Sequence, residues 1–204
     1  MRFALRTLLA AALLSGSFAC LAQTATGTLV MEVDKLQSEV PLSKELQELI
    51  RTGGVDWGIK GNELVLTVVD TRYLDFDYGF TTRYGYRHAL QLPVGTYRIT
   101  AVSREPRRSY SEQRLLDRAT FVNRNVASFT IEAGKTVTVR VGPVIMDEDA
   151  LNPAVFIPTL FASVSSADGD APGGAAPRRK AVTLRDNSST AWPDYRGPIK
   201  FIPR

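Results

Sequence analysis

Cysteine and histidine are almost missing from this chain: its 204 residues hold one of each, Cys20 and His88. A single thiol excludes a disulfide-stapled scaffold and a zinc site built from several thiolates, and a single imidazole excludes a His-rich metal centre. Neither a GxSxG elbow nor an HExxH pair occurs, so a Ser-His-Asp triad would have to be built on His88. No apolar run past the N-terminus approaches about eighteen residues, the length of a membrane-spanning helix. No internal repeat of about 20–50 residues is visible. Charge of one sign is scarce as well. Lys and Arg total 25 against 21 Asp and Glu, a net +4, and setting aside Arg2 and Arg6 leaves +2. So even a balance gives no electrostatic footprint for nucleic acid. What is plentiful is scattered apolar residues: 44% are hydrophobic and 23% charged, which is enough to bury a sizeable core.

The first 22 residues have the order of a bacterial secretory signal peptide. Arg2 and Arg6 come first, residues 8–14 are Leu and Ala only, and Cys20 and Ala22 occupy the −3 and −1 positions before Gln23. Cleavage after Ala22 leaves a mature chain without cysteine, in the periplasm or secreted. A lipid anchor on Cys20 is the alternative, but Ser17 and Phe18 fit a lipobox poorly. The chain is therefore expected to reach the envelope with no transmembrane span.

Strand signals dominate residues 23–164. Residues 28–33, 63–69, 97–102, 129–133 and 136–141 are β-branched or alternating, and in the last Val137, Val139 and Val141 share one face. Residues 132–135, with Gly134 able to take a positive φ, predict a hairpin over 129–141. Lys60 to Glu63 and Pro93 to Gly95 read as turns. Residues 155–164 are apolar but interrupted by Pro158, which suits an edge or a bend. One helix stands out, with Ser43 as N-cap, Glu45 in its first turn, Leu46, Leu49 and Ile50 on one face, and Gly53 at its end. Residues 109–118 are a weaker helix candidate, equally readable as a loop. Residues 165–180 are too rich in Ser, Gly, Asp and Pro to bury much surface and read as a disordered linker. The 181–204 extension carries Trp192, Tyr195, Ile199, Phe201 and Ile202; it is free to dock back, to bind something else or to stay loose.

Residues 70–92 (DTRYLDFDYGFTTRYGYRHALQL) concentrate the aromatic side chains. Read as extended, they place Leu74, Phe76, Tyr78 and Phe80 on one face and Tyr73, Asp75 and Asp77 on the other. A turn near residues 81–83 then brings back Tyr84, Tyr86, His88, Leu90 and Leu92. Such a hairpin presents either a sheet core or a tyrosine-rimmed shallow site for a sugar or peptide. The candidate ligand-binding residues are Tyr73, Tyr84, Tyr86, His88, Asp75 and Asp77. Asp75 and Asp77 point the same way about 6.5–7 Å apart, a spacing open to paired glycosidase carboxylates as well as to plain solvation. Gly134-Lys135-Thr136 lacks the upstream glycine of a phosphate loop. Acid clusters at 147–149 and 168–170 lack the spacing of a calcium loop. No catalytic residue, metal site or cofactor is assigned.

The stretch 92–102, with Pro93, Gly95 and Tyr97, followed by residues 129–141, with Ala133, Gly134, Thr136, Val137 and Val139, resembles prealbumin-like and carboxypeptidase regulatory-like β-sandwich modules. An insertion at 104–124 departs from their pattern. The resemblance implies a non-catalytic module for adhesion, carbohydrate or protein contact and transfers no site residues. The expected fold is a mainly β, antiparallel sandwich, Ig-like or prealbumin-like, with one short helix and a flexible C-terminal extension. The expected function is an exported, non-enzymatic module contacting an envelope protein or glycan. Its rivals are an envelope hydrolase, which needs His88, Asp75 and Asp77 to converge, and an accessory subunit whose 181–204 segment orders on its partner.

Overall fold

The structure, a computed structural model, describes residues 25–104, 120–146, 159–166 and 178–202. The leader with Cys20, the 109–118 helix candidate, both acid clusters at 147–149 and 168–170, and most of the 165–180 linker lie outside those residues.

Among the described residues the fold is a β-sandwich of two sheets with one α-helix. Its strands are β1 (Thr26–Val33), β2 (Gln37–Ser38), β3 (Gly54–Lys60), β4 (Glu63–Thr67), β5 (Tyr78–Arg83) and β6 (Arg87–Pro93). They continue as β7 (Gly95–Arg104), β8 (Thr120–Ile131), β9 (Thr136–Ile145), β10 (Thr159–Ser166), β11 (Lys180–Ala181) and β12 (Ser189–Ala191). One sheet runs β11-β10-β9-β1-β6 with β2 beside β9, and the other runs β12-β8-β7-β4-β3-β5. Most neighbours are antiparallel, but β1–β9, β2–β9 and β4–β7 run parallel. Helix α1 (Lys44–Thr52) forms where its pattern demands. The Ser43 hydroxyl accepts from the Leu46 amide at 3.2 Å, and the Gly53 amide closes the last turn onto the Ile50 carbonyl.

Alternation along the strands fills the space between the sheets. Leu29, Met31, Val137, Val139 and Val141 come from one side, and Trp57, Leu64, Leu66, Ile99, Phe129 and Ile131 from the other. Trp57 is wholly buried, and its indole N–H donates to the Thr82 hydroxyl at 2.9 Å, so its one polar atom is satisfied inside the core.

Two expected hairpins are instead crossings between the sheets. β8 pairs with β7 and β9 with β1, so residues 129–141 turn from one layer to the other. The backbone of that turn explains why. The Gly134 amide donates to the Thr26 carbonyl and the Lys135 carbonyl accepts from Thr28, which ties the turn to β1. Phe129 and Val137 then enter the same core from opposite sheets. The aromatic segment behaves likewise. Residues 74–77 lie off the sheet ladder, β5 joins β3 and β6 joins β1. The turn falls at residues 84–86 rather than 81–83, because Gly85 supplies the φ of +82° that the corner needs.

The 181–202 part of the extension is folded against its own chain, so core residues lie on both sides of position 164. Asn123, 1% exposed, donates its amide to the Val182 and Leu184 carbonyls, both at 2.8 Å, and the Thr183 hydroxyl accepts from the Leu160 amide. Val182 enters the main core. Tyr195 and Ile199 join Val65, Val69, Leu74, Val102 and Val122 in a second cluster, flanked by Trp192 and Phe201. Leu64 and Leu66 face the inter-sheet core, so Val65 between them turns this cluster to the other face of the same sheet.

Candidate functional site

The six residues singled out in the aromatic segment fall into three separate places. Tyr73 ends a 3₁₀ turn (Thr71–Tyr73) opened by the Asp70 carboxylate, and its ring stacks on Phe201 at 5.8 Å. Asp75 and Asp77 do point the same way, but onto a cation. Lys60 Nζ lies 3.3 Å from Asp75 Oδ2 and 3.2 Å from Asp77 Oδ1. Asp77 also accepts the Gly61 amide at 2.8 Å, and that hydrogen bond, with Lys60 behind it, holds its carboxyl below the usual range. Asp75 accepts the Lys200 amide, and its own amide donates back to the Lys200 carbonyl. Both carboxylates thus fasten the β3–β4 turn and the C-terminal segment to the 74–77 stretch.

Tyr84 and His88 belong to the seam between the sheets. His88 lies 4.4 Å from the Phe80 ring and 5.7 Å from Trp57, an aromatic trio that joins β5 and β3 of one sheet to β6 of the other. The half-buried Tyr84 hydroxyl is pushed up by burial and then by the charge of Asp56. Asp56 is itself raised, mainly by burial, against a hydrogen bond from Thr81. His88 contacts aromatic rings while Asp75 and Asp77 contact Lys60, so the three share no common partner.

Tyr86 stands alone, 65% exposed on a corner whose backbone is fixed from both sides. The Gly85 amide donates to the Val33 carbonyl and the Tyr86 carbonyl accepts from Val33, both at 2.9 Å. Beside it opens a depression of about 480 Å³, bordered by Glu32, Asp34, Lys35 and Arg87. Asp34 is neutralised from behind. Arg140 Nε donates to its Oδ1 at 2.8 Å, and Arg179 Nη2 to its Oδ2 at 3.0 Å. Sequence reasoning misses these charged residues. Glu32 and Arg140 merely occupy the polar parity of β1 and β9, and their pairing rests on a parallel register between distant segments.

A second polar cluster lies beneath the C-terminal segment. The Tyr195 hydroxyl donates to Glu63 Oε2 at 3.1 Å, and Arg124 Nη2 approaches Glu63 Oε1 at 3.4 Å while its guanidinium sits 5.6 Å over the Tyr195 ring. Burial, then the Glu63 charge, raises the Tyr195 hydroxyl well above the ordinary phenol value. Arg124 sits where the β7–β8 register shifts, an irregularity of the kind that re-aims side chains. Comparison with protein-family models, with curated proteins and with solved structures found no match for the chain.

Proposed function

We propose that this protein is an exported, non-enzymatic interaction module of a bacterial cell envelope that contacts a protein or glycan through the β5–β6 corner. The observation that carries the reading is Tyr86, a large aromatic side chain left 65% exposed on a hydrogen-bonded corner beside a charged depression. Exposed aromatics on rigid backbone supply contact area at low entropic cost, which is how binding surfaces anchor a partner. The groups best suited to catalysis are held in structural contacts: Asp75 and Asp77 on Lys60, and His88 among aromatic rings. Export is supported by the arginines, the Leu/Ala run and the small residues that precede Gln23. Likeness of residues 92–102 and 129–141 to prealbumin-like modules points in the same direction.

The test is crosslinked capture from an envelope extract, run with the full chain and with Tyr86→Ala. A component retained by the first and lost by the second supports the reading. Capture indifferent to Tyr86, or turnover of glycan or peptide substrates by the purified chain, refutes it.

A further inference from the structure

We infer that the ligand at this corner is an anionic saccharide, bearing carboxylate or phosphate groups, which lies across the outer face of the β6-β1-β9 sheet. This rests on the interaction-module reading and names its ligand class. The charge balance comes first. Glu32 and Asp34 face four cations, Lys35, Arg87, Arg140 and Arg179, and Asp34 is held by the last two. Lys35 and Arg87 border the depression, are exposed, and make no ion pair among the described residues. The local field is therefore positive, with an arginine fork suited to carboxylate or phosphate. Lys35 is also seated: its Cγ lies so close over Gly85 that a Cβ there would stand 3.2 Å away.

The uncharged rows further along the sheet favour a sugar over a peptide. Register places Arg87, Glu32 and Arg140 side by side on one face, and two residues on come Ala89, Val30 and Thr138. The next row is Gln91, Thr28 and Thr136, with the Gln91 amide donating to the Thr28 hydroxyl at 2.9 Å. Three strands and three rows make a patch of about 10 Å by about 13 Å from strand spacing and rise. Beyond its charged row, the patch sets the Thr138, Thr28 and Thr136 hydroxyls and the Gln91 amide around apolar Ala89 and Val30, and those polar groups both donate and accept, the counterpart of sugar hydroxyls. Tyr86 at its charged end offers a ring face.

The experiment measures binding of the purified full chain to hexagalacturonate, a mannose-6-phosphate oligomer, neutral maltohexaose and polyglutamate. One of the two anionic saccharides is expected to bind at least about tenfold more tightly than maltohexaose and polyglutamate, and which one does so identifies the anionic group. Arg87→Ala, Lys35→Ala and Tyr86→Ala should each weaken it by about tenfold. Arg98→Ala, on the other sheet where β4 begins, should leave it unchanged. Polyglutamate binding as tightly as the saccharide, equal loss in Arg98→Ala, or no saccharide binding at all overturns the proposal. If it falls while Tyr86→Ala still abolishes envelope capture, the interaction-module reading survives; if capture is also indifferent to Tyr86, both fall.

Discussion

Replacing Tyr195 by phenylalanine removes one oxygen and keeps the ring. In the folded protein that oxygen donates to Glu63, whose side chain is only 8% exposed and whose other partner, Arg124, stands at 3.4 Å. Loss of a hydrogen bond to a buried charged acceptor costs about 2 kcal/mol, because the carboxylate stays desolvated without its donor. For a chain of 204 residues that corresponds to a fall in Tm of about 4–8 °C. The cost must also depend on pH. Folding raises the phenol's pKa above its unfolded value of about 10, so the stabilisation it brings is complete below that pH and is lost as pH rises beyond it. Urea unfolding of both proteins at pH 8 and across the alkaline range measures this, since the other tyrosines cancel in the difference. The gap should be widest at pH 8 and shrink above pH 10. A cost below about 0.5 kcal/mol, or a gap independent of pH, would refute the anchoring of the C-terminal segment through Glu63.

Two more substitutions probe the corner and the carboxylate pair. Gly85→Ala forces a side chain into φ +82° and against Lys35, and should cost about 1–2 kcal/mol in urea unfolding. Gly61→Ala, at φ +55° with open space around it, should cost less; the reverse order would contradict the corner geometry. Asp77 is held below its ordinary pKa, so its contribution is present above about pH 4 and lost as pH falls. Asp77→Asn should therefore flatten the acid limb of a Tm-against-pH profile, and superimposable limbs would remove the Lys60 clamp from the account.

Helix α1 and the buried faces of β1, β4, β7 and β9 are legible because each depends on a local period and a local cap. The Ser43 cap and the Val137, Val139, Val141 face emerge as read. Partner choice is not local. The 129–141 alternation specifies one buried face per strand but not whether the two faces lie side by side or opposite each other. That is decided by hydrogen bonds from the turn to Thr26 and Thr28, about a hundred residues away in sequence. Parity makes Asp75 and Asp77 neighbours, as the sequence implies, yet the cation they share comes from the β3–β4 turn. Tyr86 is legible as an aromatic, whereas its setting is not. The depression needs Asp34 and Lys35 from beyond β1 to meet the Gly85 corner, and the second core cluster needs residues 192–201 to fold over Val65 and Val122.

The place of β1 has a consequence for how the molecule comes into being. It lies between β6 and β9, with Thr28 opposite Gln91 on one side and Thr136 on the other. A polypeptide emerging amino end first therefore holds its first strand with both edges open until residues 87–93 arrive, and with one edge open until the stretch past residue 136 does. Contacts so far apart in sequence form slowly, and the waiting strand offers a template to any neighbouring chain. Removing the carboxyl-terminal third would strand β1 with one neighbour, so fragments of this protein should misassemble where the intact chain folds.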